Sequence, residues 1–230
     1  MPALAAPAPT PALRLSGLSA PRGDGPASLS DLDLELAQGD FLLVHGEAGA
    51  GKSTMLDLAG LVRRPGAGRL EILGGNPWRM SSGRRARLRR RIGLIRQDLD
   101  LIDDLTVEEN AALPMRIAGV RPQERRRDTA ELLGWLGLAD MSRARPRALN
   151  HDQRQRVLVA RAVAGKPDLI LADEPLGWME PDSARRVLRL LVQLNRQGTT
   201  LVIASRNPDL APASRRLRLS GGRAVPEAAA

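Results

Sequence analysis

The stretch that decides the fold reads Phe41-Leu42-Leu43-Val44-His45-Gly46-Glu47-Ala48-Gly49-Ala50-Gly51-Lys52-Ser53-Thr54. Its four leading apolar residues predict a strand that is buried on both faces. Residues 46–53 then match G-x-x-x-x-G-K-[ST], a loop pattern whose backbone amides bind nucleotide phosphates. The match predicts that residues 46–54 bind the phosphates, with Lys52 reaching the β- and γ-phosphates and Ser53 ligating Mg²⁺. A glycine-rich turn without a ligand is the alternative, and the predicted strand before it and helix after it argue against that reading.

A second motif follows about 120 residues later, where the apolar residues 169–172 run directly into Asp173 and Glu174. A buried parallel strand presents Asp173 at its carboxyl end, where the carboxylate can hold the Mg²⁺ water shell opposite Ser53. Glu174, one residue further on, is placed to polarise an attacking water as a general base. The motif is weak by itself, but together with the glycine loop it predicts a site for phosphate and metal.

Composition limits the classes of protein that remain. The chain has 230 residues, of which 43% are hydrophobic and 27% are charged, as expected for one large or two small folded domains. No segment approaches the roughly 20 apolar residues of a membrane-spanning helix. The absence of cysteine and the presence of only two histidines exclude disulfides and argue against a zinc site. The net charge of +9 could indicate nucleic acid, but one phenylalanine, three tryptophans and no tyrosine are too few for base stacking.

Hydrophobic periodicity predicts the order of the elements. Alternating residues at 13–15, 32–36 and 69–73 are typical of half-exposed antiparallel strands, and apolar runs at 41–44, 92–95, 169–172 and 200–204 of buried strands. Helical patterns occupy 105–163 almost continuously. We therefore predict an α/β fold with a parallel core and an inserted helical block at about 98–158. The domain would span 12–220, between flexible tails at 1–11 and 221–230.

Further segments give the chain a family resemblance. They are Gln97 in Leu94-Ile95-Arg96-Gln97-Asp98, Leu105-Thr106-Val107-Glu108-Glu109-Asn110, and Ala160-Arg161-Ala162. With the glycine loop and the Asp173–Glu174 motif, they resemble ATP-binding-cassette (ABC) transporter subunits, most closely the lipoprotein-release and macrolide-export types. The resemblance implies a P-loop NTPase with a RecA-like core, an antiparallel β subdomain and a helical subdomain. It also implies that Gln97 links the γ-phosphate and Mg²⁺ to the groove that contacts the membrane subunits.

One departure from the family pattern lies at 149–156, where Leu-Asn-His-Asp-Gln-Arg-Gln-Arg aligns with a signature that begins Leu-Ser-Gly-Gly-Gln. The family uses this helix start to bind the γ-phosphate of a partner cassette. His151 would block close approach, and Asp152 would place an anion opposite an anion. Such a pair at ~4 Å repels by about 4 kcal/mol at an effective dielectric constant near 20. The alternative is that Asn150 and Asp152 are retained as helix caps for folding alone.

Three other departures concern the nucleotide site. Arg206 stands where the family has its switch histidine, and it would pair with Glu174 without exchanging protons near neutral pH. Arg22 stands where the family has an aromatic residue that stacks on adenine, and its guanidinium could still stack on the base. The loop after the general base reads Gly177-Trp178-Met179-Glu180 instead of ending in Leu-Asp, which would perturb contacts across a dimer.

The resemblance implies an ATP-binding subunit that binds ATP and Mg²⁺ and drives a membrane permease from the cytoplasmic face of the inner membrane. It would pair with a second cassette, in a homodimer or a heterodimer, and hydrolyse ATP slowly because of its departures. A regulatory cassette with little hydrolysis, gating a membrane partner, is the first alternative. A cassette that acts on DNA or ribosomes is the second, although the chain shows neither tandem cassettes nor coiled coils.

Overall fold

The computed structural model describes residues 10–22, 25–96, 101–211, 213 and 215–226. These residues contain nine strands and six α-helices, besides short 3-10 turns and loops. The strands are β1 (Leu13–Arg22), β2 (Gly25–Leu36), β3 (Phe41–His45), β4 (Ala67–Ile72), β5 (Ile92–Ile95), β6 (Leu169–Asp173), β7 (Thr200–Ser205), β8 (Arg215–Ser220) and β9 (Arg223–Val225). The helices are α1 (Lys52–Ala59), α2 (Ser82–Arg89), α3 (Val107–Ile117), α4 (Pro122–Trp135), α5 (His151–Ala164) and α6 (Pro181–Arg196). None of these helices is long and apolar enough to cross a membrane.

A three-stranded antiparallel sheet has the order β2-β1-β4. Leu13 pairs with Leu36 and Leu15 with Leu34, so the apolar residues of both strands share one buried face. The alternating residues between them point to the other face, where Arg14 forms an ion pair with Glu35. The predicted antiparallel β subdomain is confirmed.

The second sheet has six strands in the order β5-β6-β7-β3-β8-β9, and all neighbours are parallel except β8 and β9. Strands β3, β6 and β7 lie inside the sheet and are apolar on both faces, as their uninterrupted patterns predict. Strand β5 was expected to be buried, but only its alternate residues Gly93 and Ile95 are, because it lies at the sheet edge. The carboxyl ends of β3, β6 and β7 meet at one edge.

Each face of the parallel sheet is covered by its own hydrophobic cluster. Leu42 and Val44 of β3 face α1 and the antiparallel sheet, whereas Phe41 and Leu43 face α3, α5 and α6. The helices α3 and α4 lie between β5 and β6 in the chain, as the inserted helical block requires. Its limits at 98–158 stay a prediction, since α5 runs through position 158 without a break.

The carboxyl-terminal segment differs from the sequence prediction. Residues 221–230 were expected to form a flexible tail, but Arg223–Val225 form strand β9 against β8. Gly221 and Gly222 have φ of 55° and 80°, values that glycine adopts without strain, and they close the turn between the two strands. The prediction overlooked the turn because a three-residue strand has no periodicity to detect. Residues 1–9 and 227–230 of the predicted tails lie outside the described residues.

Candidate nucleotide-binding site

The loop between β3 and α1 has a shape that only glycine permits at two positions. Gly46 has φ of 149° and Gly51 has φ of 100°. A Cβ on Gly46 would lie 2.1 Å from the Leu219 carbonyl oxygen, and a Cβ on Gly51 would lie 2.5 Å from the carbonyl oxygen of Ser28. The neighbouring backbone therefore fixes the path of the loop. A Cβ on Gly49 would meet nothing within 4 Å, so the loop is open on its outer side.

Lys52 begins α1 and is 7% exposed. Its ammonium group donates hydrogen bonds to the carbonyl oxygens of Gly46, at 2.7 Å, and Glu47, at 2.9 Å. Burial lowers the pKa of Lys52, and the nearby Glu174 and Asp173 carboxylates oppose that shift. The structure thus places a cation inside the curve of the loop, and its contact with phosphates stays a prediction.

Ser53 and Asp173 come together at the same edge. Ser53 is exposed on the first turn of α1, and its side chain is hydrogen-bonded to the half-buried Asp173 carboxylate at the end of β6. Burial raises the pKa of Asp173, and the hydrogen bond with Ser53 acts against that rise. A hydroxyl and a carboxylate are oxygen ligands of the kind that Mg²⁺ takes, and Mg²⁺ completes its shell with water and substrate phosphates. These residues therefore fit the expected ion.

Within the described residues, no group of three or more His, Cys, Asp or Glu side chains could hold a metal ion.

Glu174 follows Asp173 with φ of +44° and is held by the end of β7. The Ser205 hydroxyl donates to Glu174 Oε2 at 3.2 Å, and the backbone N–H of Arg206 donates to Oε1 at 2.8 Å. The Arg206 guanidinium Nε lies 3.4 Å from Oε1, so the predicted pairing is present. The Arg206 side chain is 69% exposed, however, and an exposed ion pair contributes little free energy.

Ser205 was missed by the sequence analysis. It is 2% exposed at the end of β7, and its hydroxyl also accepts a hydrogen bond from the Asn207 backbone N–H at 3.0 Å. A serine after an apolar strand gives no signal of this role, because the role depends on β7 lying between β6 and β3.

Of the two residues predicted to cap α5, Asn150 does so. The Asn150 side chain accepts from the Gln153 backbone N–H at 2.8 Å, and the Gln153 side chain accepts from the Asn150 backbone N–H at 3.0 Å. Next to this cap, the exposed ring of His151 lies 5.8 Å from the ring of Trp178, measured between centroids, in the loop after Glu174.

Asp152 was expected to place an anion opposite a partner phosphate, but the structure pairs its charge inside the protein. Its side chain is 10% exposed and forms an ion pair with Arg156, with 2.6 Å between Arg156 Nη2 and Asp152 Oδ2. The carboxylate also accepts hydrogen bonds from the Glu180 backbone N–H and the Ser183 hydroxyl, at the start of α6. Because Arg156 pairs with this charge, the repulsion estimated for an unpaired carboxylate is reduced, and His151 is the bulky exposed group at this helix start.

Two of the sequence-predicted residues cannot be placed. Gln97 lies outside the described residues, and Arg22 ends β1 with a side chain that is likewise not described. Their expected roles at Mg²⁺, the γ-phosphate and adenine stay predictions.

A glycine loop, a buried lysine and two carboxylates at the carboxyl edge of a parallel sheet define a P-loop nucleoside triphosphatase. The family model described as ABC transporter matches residues 29–177. The chain therefore belongs to the ABC transporter family, as an ATP-binding subunit with an ABC-type ATPase site.

Relatives of known name agree with this assignment. The lipoprotein-releasing system ATP-binding protein LolD 1 of Rhodospirillum rubrum is 38% identical over 208 residues, which cover 88% of this chain and 92% of LolD 1. The macrolide export ATP-binding/permease protein MacB of Marinobacter nauticus is 35% identical over 227 residues, 96% of this chain. The chain spans only 35% of the length of that MacB.

A solved structure has the same fold. It is the dimeric post-hydrolysis state of the ATP-binding cassette MJ0796 bound to ADP and Pi, with a TM-score of 0.86 and 29% sequence identity. The match covers 92% of this chain and 96% of that one.

Proposed function

We propose that this chain binds MgATP at residues 46–54 and hydrolyses it slowly, together with a second cassette, to drive a membrane permease from the cytoplasmic face of the inner membrane. The observation that carries the proposal is the convergence of Lys52, Asp173 and Glu174 at one sheet edge, beside a loop whose path is fixed by glycine.

Each residue has a defined part in this proposal. The amides of the loop and the Lys52 ammonium group bind phosphate oxygens, and the amino end of α1 favours the same negative charge. Ser53 and Asp173 hold Mg²⁺, which when bound neutralises charge that develops on the phosphate oxygens. Glu174 accepts a proton from the attacking water, and Ser205 with the Arg206 backbone N–H keeps its carboxylate in place.

Two substitutions support slow hydrolysis. Arg206 stands where the family pattern has a histidine, and a guanidinium group lacks the acid–base capacity of an imidazole. His151 places an exposed ring at the start of α5, where the family pattern has a glycine that allows close approach. Both changes act on steps after ATP binding, so affinity for ATP should be retained.

The partners are proposed from the relatives. MacB is named as a joined ATP-binding and permease protein, LolD 1 as the ATP-binding part of a releasing system, and the MJ0796 cassette is dimeric. The MacB name supports a permease partner, and the dimeric MJ0796 cassette supports a second cassette.

The test compares the only two lysines of the chain. Lys52→Ala removes the cation from the loop, and we expect about tenfold or more weaker MgATP binding by calorimetry, since a charged hydrogen bond contributes roughly 1.5–3 kcal/mol. Lys166→Ala is the control, because the Lys166 side chain is 79% exposed and pairs with Asp128. Equal affinities in both variants would contradict the proposed phosphate site.

Turnover is measured in the same preparation after reconstitution with the permease. We expect it to stay below the median enzyme rate of about 10 s⁻¹ and to disappear in Glu174→Gln. A faster rate that still depends on Glu174 would overturn slow hydrolysis and leave the binding site intact.

A further inference from the structure

Asp152 joins two elements that are distant in the chain. It is the second residue of α5, and its carboxylate reaches the start of α6. Oδ1 accepts from the backbone N–H of Glu180 at 3.2 Å, and Oδ2 accepts from the Ser183 hydroxyl at 3.2 Å. Glu180 is the last residue of the loop that begins at Glu174, so this contact fixes the far end of that loop.

Arg156 extends the same connection to α4. Its Nε and Nη2 atoms donate to Asp152 Oδ2 at 2.9 Å and 2.6 Å, and its Nη1 atom donates to the carbonyl oxygens of Leu136, at 2.7 Å, and Gly137, at 3.0 Å. Both side chains of the ion pair are largely buried, with 12% and 10% exposure. One charge pair therefore links the end of α4, the start of α5 and the start of α6.

The loop from 174 to 180 is thereby held at both ends. Ser205 and the Arg206 backbone hold the Glu174 carboxylate, and Asp152 holds the Glu180 backbone. The positive φ of Glu174 is a conformation that a non-glycine residue keeps only when its surroundings enforce it. Asp152 thus holds the far end of the same loop, six residues after the strained position.

Capping of α5 does not explain the hydrogen bonds of the Asp152 carboxylate. The Asn150–Gln153 capping box already satisfies the helix start, and the Asp152 carboxylate turns away from it toward α6. The Glu180 and Ser183 contacts are therefore the distinctive part of its environment.

We propose that Asp152 is a positioning residue for hydrolysis, which clamps the loop after Glu174 against the start of α5 and so maintains the orientation of the general base. The clamp also sets the ring of Trp178 beside His151. The catalytic part of this inference rests on the proposed ATP hydrolysis, whereas the clamp itself is a property of the protein without nucleotide.

Asp182 provides a matched control. It is the second residue of α6, as Asp152 is of α5, and it forms an i,i+3 ion pair with Arg185. Its side chain is 79% exposed, and it holds no loop backbone in the described contacts. Asp152→Ala and Asp182→Ala thus remove the same charge from the same helix position, and only the first releases the loop.

The experiment uses Trp78→Phe and Trp135→Phe together as background, so that Trp178 is the single fluorophore. We expect Asp152→Ala to increase acrylamide quenching of Trp178 by up to about 1.5-fold, because the ring is already 62% exposed and local opening of a released loop exposes the rest. Turnover should fall about tenfold while ATP affinity stays within about twofold, since loss of alignment affects the transition state and not binding. Asp182→Ala should leave all three quantities unchanged.

Ser183→Ala keeps the Asp152–Arg156 pair and removes the hydrogen bond from the Ser183 hydroxyl to Asp152. This variant tests the clamp if Asp152→Ala does not fold. We expect a smaller change of the same sign in quenching and turnover. Unchanged quenching and turnover in the folded variants would overturn the clamp. Increased quenching with turnover unchanged would overturn the positioning role, whereas absence of hydrolysis in the wild-type chain would overturn the proposed function and leave the loop contact standing.

Discussion

At Glu174 the backbone is left-handed, and two donors from the end of β7 hold the carboxylate. Backbone strain of this kind costs roughly 1–3 kcal/mol and is typical of functional sites. Ser205 is buried, and the Arg206 N–H belongs to the main chain, so both donors have fixed positions. The Arg206 side chain, in contrast, is mostly exposed. The residue at the switch position therefore holds Glu174 mainly through its backbone.

This difference predicts unequal effects of two neighbouring substitutions. Ser205→Ala removes one of the two hydrogen bonds to the carboxylate, and we expect turnover to fall about tenfold with ATP affinity unchanged. Arg206→Ala keeps the backbone N–H and removes an exposed ion pair of about 0–1 kcal/mol, so turnover should change less than about fivefold. Steady-state kinetics with calorimetric ATP affinities check both, and a larger loss in Arg206→Ala would show that the guanidinium dominates.

At the scale of elements, α3 and α5 begin in the same way. Thr106 with Glu109, and Asn150 with Gln153, form reciprocal capping boxes that satisfy backbone N–H groups at the helix starts. Asn150 lies in the altered signature segment, so its side chain has a folding role that is independent of any partner cassette.

We expect Asn150→Ala and Thr106→Ala each to lower the free energy of unfolding by about 0.5–2 kcal/mol, as loss of a cap does. Ser81 is the matched control, because it precedes α2 without a side-chain capping bond, and Ser81→Ala should stay within about 0.5 kcal/mol of wild type. Urea unfolding measures all three. If Ser81→Ala lowered the free energy of unfolding as much as Asn150→Ala, the loss could not be assigned to the side-chain cap of Asn150.

At the scale of the whole molecule, the carboxyl-terminal turn supports the phosphate loop. The Gly222 backbone N–H donates to the Ala50 carbonyl at 3.2 Å, and the Ser30 backbone N–H donates to the Gly222 carbonyl at 2.7 Å. The turn between β8 and β9 thus connects the nucleotide loop with the antiparallel sheet.

Deletion of residues 221–230 should therefore weaken ATP binding and lower the melting temperature by at least roughly 4–8 °C, since it removes these two backbone hydrogen bonds, of about 1 kcal/mol each, together with strand β9. Deletion of 227–230 keeps the turn and β9 and should change neither quantity. Thermal unfolding and calorimetry give the comparison, and identical behaviour of the two truncations would show that the turn does not support the loop.

Much of this protein follows from local sequence. The glycine loop, the Asp173–Glu174 motif and the main strands and helices were predictable because backbone preference and hydrophobic periodicity act over a few residues. The antiparallel sheet followed in the same way from its alternating leucines. The edge position of β5 did not, because burial of a strand depends on which strands lie beside it.

The tertiary structure alone decided the environment of single charges and hydroxyls. The i,i+4 spacing of Asp152 and Arg156 within α5 allows their pairing. The sequence contains nothing to show that the same carboxylate also reaches Glu180, since that contact forms only when α5 packs against α6. Ser205 meets Glu174 for the same reason, because the sheet order sets β7 next to β6. Local sequence thus determined the class of site, and packing between distant segments determined which groups hold its general base.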